Sequence, residues 1–375
     1  MNNMKSLYKI SLWSALVCLV VVLVLWIMGQ PSTTGPFVIL FFLLLSVYFR
    51  GNQLLKGLSF TVLIFASVSA AMFYPSIFVS WGSFDLKILI VPLLQIIMFG
   101  MGTTMSLGDF AGVIKMPRGV LVGLLCQYSI MPSVGFALAT LFGFPPEIAA
   151  GVILIGSSPS GLASNVMTYL AKANLALSIT LTAVSTVLAP LTTPFLMELF
   201  AGQFVPIDFW GMMWSIIKIV ILPIVGGLAF NHFFHGKAPW LDRAMPIVSM
   251  AGIAIIITII TAAGRDSLLS IGIALVAAAI IHNALGYFFG YWGCRFLKLP
   301  ERDCRTIALE VGMQNGGLAS GIALEMGKVA TIGLAPAVFG PWMNISGSSL
   351  ATWWGERDPE KATESTKTTI EESTE

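Results

Sequence analysis

The stretch ALEVGMQNGG, residues 308–317, decides the fold prediction because it places polar groups inside an otherwise apolar segment. It contains the carboxylate of Glu310, the amides of Gln314 and Asn315, and two glycines. A charge at the centre of a bilayer costs at least ~3 kcal/mol even on lenient insertion scales. Glycines also weaken a helix, and the backbone groups that lose their helical hydrogen bonds find no replacement partners in lipid. The stretch therefore predicts a broken membrane helix that is kept for a functional reason.

The composition of the chain indicates an all-α polytopic membrane protein. Of 375 residues, 57% are hydrophobic and only 10% are charged, whereas a soluble globular protein carries about 25% charged residues. A net charge of +2 gives no indication of nucleic-acid binding. The four cysteines show no CxxC or paired spacing, so the sequence predicts neither a disulfide framework nor a zinc site.

Hydrophobic runs long enough to cross a ~30 Å hydrocarbon layer recur along the chain. The pattern predicts twelve spans: 8–29, 36–49, 57–80, 87–108, 119–142, 147–170, 175–200, 209–230, 244–264, 268–294, 303–327 and 332–354. The first is predicted to be a retained helix rather than a cleaved signal, because no A-x-A site follows it. Residues 1–50 would then form an N-terminal hydrophobic hairpin ahead of a core at 51–355.

The distribution of basic residues predicts the orientation. With a cytoplasmic N-terminus, sixteen Lys and Arg residues fall on the cytoplasmic side, and only Lys87, Arg265 and Lys328 fall outside. This bias is typical of a multi-pass protein of the inner (cytoplasmic) membrane with both termini in the cytoplasm. Residues 356–375 are almost free of apolar side chains and are predicted to be a disordered cytoplasmic tail.

The ten spans of the core divide into five and five, with repeats at about 55–200 and 209–355. The fourth span of each half carries a polar interruption, GSSPSGLASNVMTY (156–169) and LEVGMQNGGLASG (309–321). Because five is odd, the second half must cross the membrane in the opposite sense. Paired broken helices in an inverted repeat point to the binding site of a secondary transporter, and we expect the two to cross.

The chemistry of the interruptions suits ions. A broken helix exposes carbonyl oxygens at the end of its first half and N–H groups at the start of its second half. The carbonyl ends favour a cation and the N–H ends an anion. The candidate ligands are oxygen-bearing side chains at or near the interruptions: Gln127, Ser164, Asn165, Ser178, Thr182, Glu310, Gln314 and Asn315. One negative charge and no soft sulfur predict a hard cation.

The N–H groups that follow Asn165 and Asn315 begin the second half-helices, so we expect a substrate anion there, with Gly316 beside it. Other interpretations of the polar residues stay open. Hydroxyls such as those of Ser178 and Thr182 often only hydrogen-bond between helices. Glu310 is a functional candidate by default, as a carboxylate inside the membrane.

Several roles compete for this site. Glu310 could couple transport to protons instead of a metal cation. A receptor without transport is a further alternative, and so is an intramembrane serine protease using Ser160 with His282. No G-x-S-G pattern surrounds Ser160, and the set of ion-type ligands would then be unexplained. We therefore predict that the chain is not an enzyme, and the sequence assigns no role to Lys218 or His282.

The sequence resembles the bile acid:sodium symporter family, including its bacterial members, over roughly residues 55–355. The most specific signatures are ASNVMTYLAKANLALS (163–178) and EVGMQNGGLAS (310–320). Three shorter motifs add support: IIMFGMGTTM (96–105), HNALGY (282–287) and NISGS (344–348).

The resemblance implies sodium-coupled import of an organic anion by alternating access, with a core domain moving against a panel domain. It implies two sodium ions. The first site would be formed by Ser164, Asn165, Ser178, Thr182 and Glu310. The second would be formed by Gln127, Glu310, Gln314 and the backbone carbonyls of Val311 and Met313.

One departure from the family concerns the substrate. The segment SSPSGL (157–162) stands where some bacterial members have CCPGGT, so Leu162 replaces a hydroxyl near the expected anion site. The candidate substrates are bile-acid-like molecules or small carboxylates such as pantoate or a 2-oxo acid.

Overall fold

The computed structural model describes residues 2–52, 55–234 and 239–357. The tail predicted at 356–375 lies outside the described residues, apart from Glu356 and Arg357. Within the described residues the chain is almost entirely helical. Its extended structure is one small antiparallel pair, β1 (Ser80–Trp81) and β2 (Phe84–Asp85). The all-α prediction is confirmed.

The helices before the first interruption are α1 (Asn2–Ile27), α2 (Gly35–Gly51), α3 (Ser59–Phe73), α4 (Pro75–Val79), α5 (Ile90–Thr104), α6 (Gly112–Lys115), α7 (Pro117–Leu141) and α8 (Pro146–Ser157). Those after it are α9 (Ala163–Leu170), α10 (Leu175–Ala201), α11 (Phe209–Ile216), α12 (Leu222–Phe234), α13 (Pro239–Ala263), α14 (Arg265–Phe296), α15 (Glu301–Gly312), α16 (Gly316–Glu325) and α17 (Leu334–Gly355). A π-helical turn, Ile217–Ile221, joins α11 to α12. Short 3-10 helices occupy Pro31–Thr34, Lys56–Leu58, Leu86–Leu89 and Leu107–Ala111.

The membrane-spanning pattern agrees with the sequence. In the described part of the chain, nine helices are long and apolar enough to cross a membrane, and each overlaps a different one of the twelve predicted spans. Of the other three predicted spans, 332–354 is helix α17, and 147–170 and 303–327 are each divided into two helices. The predicted interruptions are therefore confirmed. The inverted relation of the two halves stays a prediction.

One predicted span ends earlier than expected. The span predicted at 57–80 gives α3, which ends at Phe73, and a separate short helix, α4. Pro75 disfavours helical geometry at the preceding Tyr74, whose φ of −129° and ψ of 56° lie outside the helical region. The proline therefore ends α3 about two turns before the predicted span ends.

The helices pack in two groups. Helices α3, α5, α12 and α13 pack on one another, whereas α7, α8, α9, α10, α14, α15, α16 and α17 surround the two interruptions. Helices α1 and α2 pack together and α2 packs on α3. The predicted division into panel and core domains is in keeping with this packing and stays a prediction.

Helices α5 and α12 come unusually close at two glycines. A Cβ atom on Gly102 would overlap the carbonyl oxygen of Ile224, and one on Gly227 would overlap the carbonyl oxygen of Phe99. Such small residues let membrane helices pack backbone against backbone. The neighbouring Gly226 has room, since an added Cβ would lie 3.8 Å from the Phe99 ring.

We expect Gly227→Ala to lower the thermal unfolding midpoint, because the helices must separate to admit the methyl group. Overpacking of this kind typically costs ~1–3 kcal/mol. Gly226→Ala is the matched control on the same helix and should leave the midpoint unchanged or raise it, since alanine favours helix. Thermal unfolding in detergent measures both, and equal midpoints would contradict the close approach.

The N-terminal hairpin should be separable from the site. Residues 1–50 contact the core mainly through α3, including reciprocal hydrogen bonds at 2.8 Å between the hydroxyls and carbonyls of Ser46 and Ser59. We expect a chain lacking 1–50 to keep the sodium-dependent thermal stabilisation that the family resemblance implies. Loss of that response in monodisperse truncated protein would show that the hairpin contributes to the site.

Candidate functional site

The sequence breaks both helices at defined points. Pro159 has no N–H and disfavours helical geometry at Ser158, so α8 ends at Ser157. In the second broken helix, Asn315 caps the start of α16, where its Oδ1 accepts a hydrogen bond from the Leu318 N–H at 3.0 Å. Each break is thus encoded by its own local residues.

The two breaks satisfy each other's backbone. The Gly161 N–H donates to the Met313 carbonyl at 2.9 Å, and the Asn315 N–H donates to the Pro159 carbonyl at 2.8 Å. An antiparallel bridge joins the same segments. Because lipid cannot replace these bonds, neither break would be stable at this depth without the other.

This crossing gathers polar side chains around Glu310. Its Oε1 accepts hydrogen bonds from the Ser164 and Ser178 hydroxyls, both at 2.5 Å, and its Oε2 accepts one from Thr182 at 2.9 Å. Asn165 Oδ1 lies 2.7 Å from the Ser178 hydroxyl and 3.3 Å from that of Thr182. The five residues expected at the first ion site are brought together.

The carboxylate of Glu310 is only 2% exposed. Among residues 2–52, 55–234 and 239–357, it forms no ion pair with a basic side chain. Burying an ionised carboxylate without a counter-charge is unfavourable, and hydroxyl donors compensate only part of that loss. The hydroxyl groups around Glu310 can rotate so that their oxygen atoms, and not their protons, face a bound ion. The cluster therefore suits a cation.

The second set of predicted ligands forms an amide chain. Gln127 Nε2 donates to Gln314 Oε1 at 2.6 Å and to the Ser158 carbonyl at 2.9 Å, while Gln314 Nε2 donates to the Val311 carbonyl at 2.5 Å. Gln127 Oε1 is buried and has no hydrogen-bond partner in the described part of the chain. The Met313 carbonyl accepts from the opposite break instead of joining this chain.

A cavity of about 220 Å³ lies against the start of α16. Three of the four residues expected at the substrate site line it, namely Leu162, Asn315 and Gly316, whereas Asn165 belongs to the Glu310 cluster instead. The opposite wall is apolar and comes mainly from α5 and α13: Ile97, Met98, Met101, Ile253, Ile256 and Ile257. No acidic or basic side chain is among the described residues that line the cavity.

Two contacts at the breaks were not predicted as ligand contacts. Ser160 Oγ donates to the Glu310 carbonyl at 3.0 Å, and Asn283 Nδ2 donates to the Gly312 carbonyl at 2.7 Å. Both hold the end of α15 in place. The only signals in the sequence were a serine inside the interruption and an amide within an apolar span.

The residues of the protease alternative are not paired. The Ser160 hydroxyl is engaged by the Glu310 carbonyl, while His282 Nε2 lies 3.2 Å from the Met131 carbonyl and its ring packs on Phe339. No described contact joins the serine to the histidine. Lys218 lies exposed on the π-helical turn, outside the crossing, and its carbonyl accepts from Gln95 Nε2 at 3.3 Å.

Comparison with known proteins points to one family. The model of the Sodium Bile acid symporter family matches residues 91–271. The uncharacterized sodium-dependent transporter YocS of Bacillus subtilis is 41% identical over 301 residues, which cover 80% of this chain and 91% of that protein.

Plant relatives match over a comparable share of the chain. The probable sodium/metabolite cotransporter BASS1, chloroplastic, of Arabidopsis thaliana is 35% identical over 268 residues, 72% of this chain and 67% of the relative. Its counterpart of the same name in Oryza sativa subsp. japonica is 34% identical over 308 residues, 81% of this chain and 74% of the relative. The chain therefore belongs to the sodium bile acid symporter family, a family of sodium-dependent membrane transporters and not of enzymes.

Proposed function

We propose that the chain imports an organic anion together with two sodium ions by alternating access between its two groups of helices. The observation that carries this proposal is the buried Glu310 carboxylate, which is surrounded by hydroxyl and amide oxygens and has no basic partner among the described residues. Sodium is a hard cation that prefers such oxygen ligands. The ion would supply the missing positive charge.

The proposed sodium ligands divide between the two clusters. The first ion would be held by Ser164, Asn165, Ser178, Thr182 and Glu310. The second would be held by Gln127, Glu310, Gln314 and the carbonyls of Val311 and Met313. The unpartnered Gln127 Oε1 supports the second set, because a buried amide oxygen without a donor favours a cation.

The proposed anion site is the start of α16. The first N–H groups of a helix have no partner within the helix, and the helix dipole there favours negative charge. The Asn315 side chain uses its oxygen to cap α16, which leaves its amide N–H₂ to donate to a carboxylate. Gly316 allows close approach of the ligand to the backbone.

The cavity limits the proposed substrate class. About 220 Å³ is small beside the 300–1,000 Å³ of pockets for drug-sized ligands, so a small carboxylate such as pantoate or a 2-oxo acid fits better than a bile-acid-sized molecule. A dicarboxylate substrate fits less well than a monocarboxylate, because no basic side chain among the described lining residues could pair with its second carboxylate. Ser249, the hydroxyl on the α13 wall, would donate to a hydroxyl or keto oxygen of the substrate.

The proposed stoichiometry supplies enough energy for accumulation. Two sodium ions with one monoanion carry one net charge inward, worth ~2.3 kcal/mol per 100 mV. Each sodium adds ~1.4 kcal/mol for a tenfold gradient, so at 100 mV the drive is about 5 kcal/mol and supports accumulation of roughly a thousandfold or more. The orientation that we propose places both termini in the cytoplasm, on the side where the sixteen Lys and Arg residues are predicted to lie.

The proposal predicts that Glu310→Gln abolishes sodium-dependent thermal stabilisation at both sites together. Glutamine keeps the size and one oxygen, and the neighbouring hydroxyls can turn to accept from its amide, so the fold should persist. Thr182→Ala and Gln127→Ala should each weaken mainly one site. The measurement is a thermal-shift titration with sodium, with potassium as the control salt, because a ligand of the folded state raises stability by mass action.

A Glu310→Gln variant with the wild-type sodium response would show that the proposed ion sites are wrong. If the unfolding midpoint of the wild type depended on pH and not on sodium, proton coupling through Glu310 would be favoured. The same assay, run with a set of organic monocarboxylates in sodium and in potassium, tests substrate class and coupling together.

For the anion site, we expect Asn315→Ala to weaken binding of any carboxylate identified in that screen by about ten- to a hundredfold, since a hydrogen bond to a charged group is worth ~1.5–3 kcal/mol. Asn315→Asp is the matched variant, because it keeps the oxygen that caps α16 but replaces the amide donor by a negative charge. It should weaken binding at least as much. Isothermal titration at saturating sodium measures both, and unchanged affinity in the two variants would move the substrate site away from α16.

A further inference from the structure

A second recess lies between α14 and α17, on the surface of the group of helices that surrounds the two interruptions. It is an open groove of about 720 Å³ whose walls are largely aromatic: Tyr287, Phe288, Tyr291, Trp292, Trp353 and Trp354. Several of these rings face outward, with Phe288 54% and Trp353 49% exposed. The described residues that line this groove are all different from those that line the cavity at the start of α16.

Three polar residues on the floor of the groove are hydrogen-bonded to one another. Ser346 Oγ lies 2.5 Å from Asn283 Oδ1 and 3.1 Å from the Tyr287 hydroxyl, and Asn283 Nδ2 donates to the Gly312 carbonyl. Because these groups bind one another, the described floor offers a polar solute no charge, and its one buried donor without a partner is the indole N–H of Trp342. An apolar occupant is therefore favoured along the length of the groove.

The length of the groove matches one leaflet. Its lining on α14 runs from Ile280 to Trp292, and twelve residues of helix rise about 18 Å. Half of a ~30 Å hydrocarbon layer is about 15 Å. The groove therefore runs from the middle of the membrane to the interface at the end of α14, where its tryptophans Trp292 and Trp353 lie, as aromatic residues do at membrane interfaces.

Basic side chains flank the interfacial end. Arg357 stacks its guanidinium on Trp353 at 3.6 Å, and Arg295 lies one helical turn beyond Tyr291 on the same face of α14. Neither arginine forms an ion pair with a described residue. Among the described carboxylates near this end, Glu301 is paired with Arg305 at 2.9 Å, Asp303 accepts a hydrogen bond from Asn174 Nδ2 at 2.7 Å, and Glu356 is exposed.

We propose that this groove binds an anionic phospholipid, with an acyl chain along its aromatic wall and the headgroup phosphate between Arg295 and Arg357. Guanidinium groups bind phosphate oxygens through paired hydrogen bonds, and the aromatic walls pack against methylene groups. The match in depth and in charge identifies a lipid rather than a soluble anion. The site does not depend on the sodium and substrate sites proposed above.

The test is native mass spectrometry of the full-length protein in detergent, titrated with phosphatidylglycerol and, separately, with phosphatidylcholine of the same acyl chains. We expect the wild type to retain phosphatidylglycerol preferentially. The double variant Arg295→Gln/Arg357→Gln should lose about thirtyfold of that preference, since two basic residues at an anionic surface together contribute ~2 kcal/mol. Lys9→Gln/Arg50→Gln removes the same charge from α1 and α2 and should keep the preference.

Variants that fill the groove should reduce retention of both lipids, whereas the arginine variant should reduce only the preference for phosphatidylglycerol. Ala284→Trp on α14 and Ser349→Phe on α17 place bulk in the groove from opposite walls, so each should reduce retention of both lipids at least fivefold. Val225→Trp, an exposed position on α12, is the control and should have no effect. Either filling variant suffices if the other does not fold.

Two results would overturn the proposal. Wild-type retention of both lipids in a folded filling variant, with phosphatidylglycerol preference intact in the arginine variant, would show that the lipid binds elsewhere. A wild-type dimer that disappears in the filling variants, without any change in lipid retention, would identify the groove as a contact between two copies of the chain.

Discussion

The site depends on one constraint, the mutual satisfaction of two broken backbones. Each break leaves N–H and carbonyl groups that lipid cannot bind, and each supplies the partners that the other lacks, as in the bonds from Gly161 to Met313 and from Asn315 to Pro159. A single broken helix at this depth would be unstable. The crossing is therefore a unit, and the side chains that it gathers keep fixed relative positions.

That unit explains why Glu310 can be tolerated where it is. The carboxylate lies at the end of α15, while Ser164 comes from α9 and Ser178 and Thr182 come from α10. Three hydroxyl donors make its burial less unfavourable, yet no basic side chain in the described chain neutralises it. On the proposed function, this residual charge is the physical basis of the requirement for sodium, because the ion lowers the energy of a site that the protein alone leaves unbalanced.

Much of the fold was predictable because its signals are local. Pro159 and Asn315 mark where helices stop and start, and apolar length locates the spans. The gathering of Ser164, Ser178 and Glu310 was expected from the resemblance, since helical periodicity orients a side chain on its own helix but does not say which face of another helix it meets. The resemblance placed Asn165 with Glu310, but the sequence did not predict that Asn165 would be absent from the lining of the cavity, or that the rings of α14 and α17 would form a groove.

The proposed cation and anion sites lie on one short segment, and this bears on how their binding would be coupled. Only Met313, Gln314 and Asn315 separate the carbonyl end of α15 from the N–H end of α16. Charges held so close in a medium of low dielectric constant attract strongly, so bound sodium would raise the affinity for a carboxylate at Gly316. Coupling free energy is reciprocal, and the carboxylate would raise the affinity for sodium by the same factor. If the proposed sites are occupied, this segment of three residues would provide a direct electrostatic route to coupled binding, without requiring a change of shape at a distance.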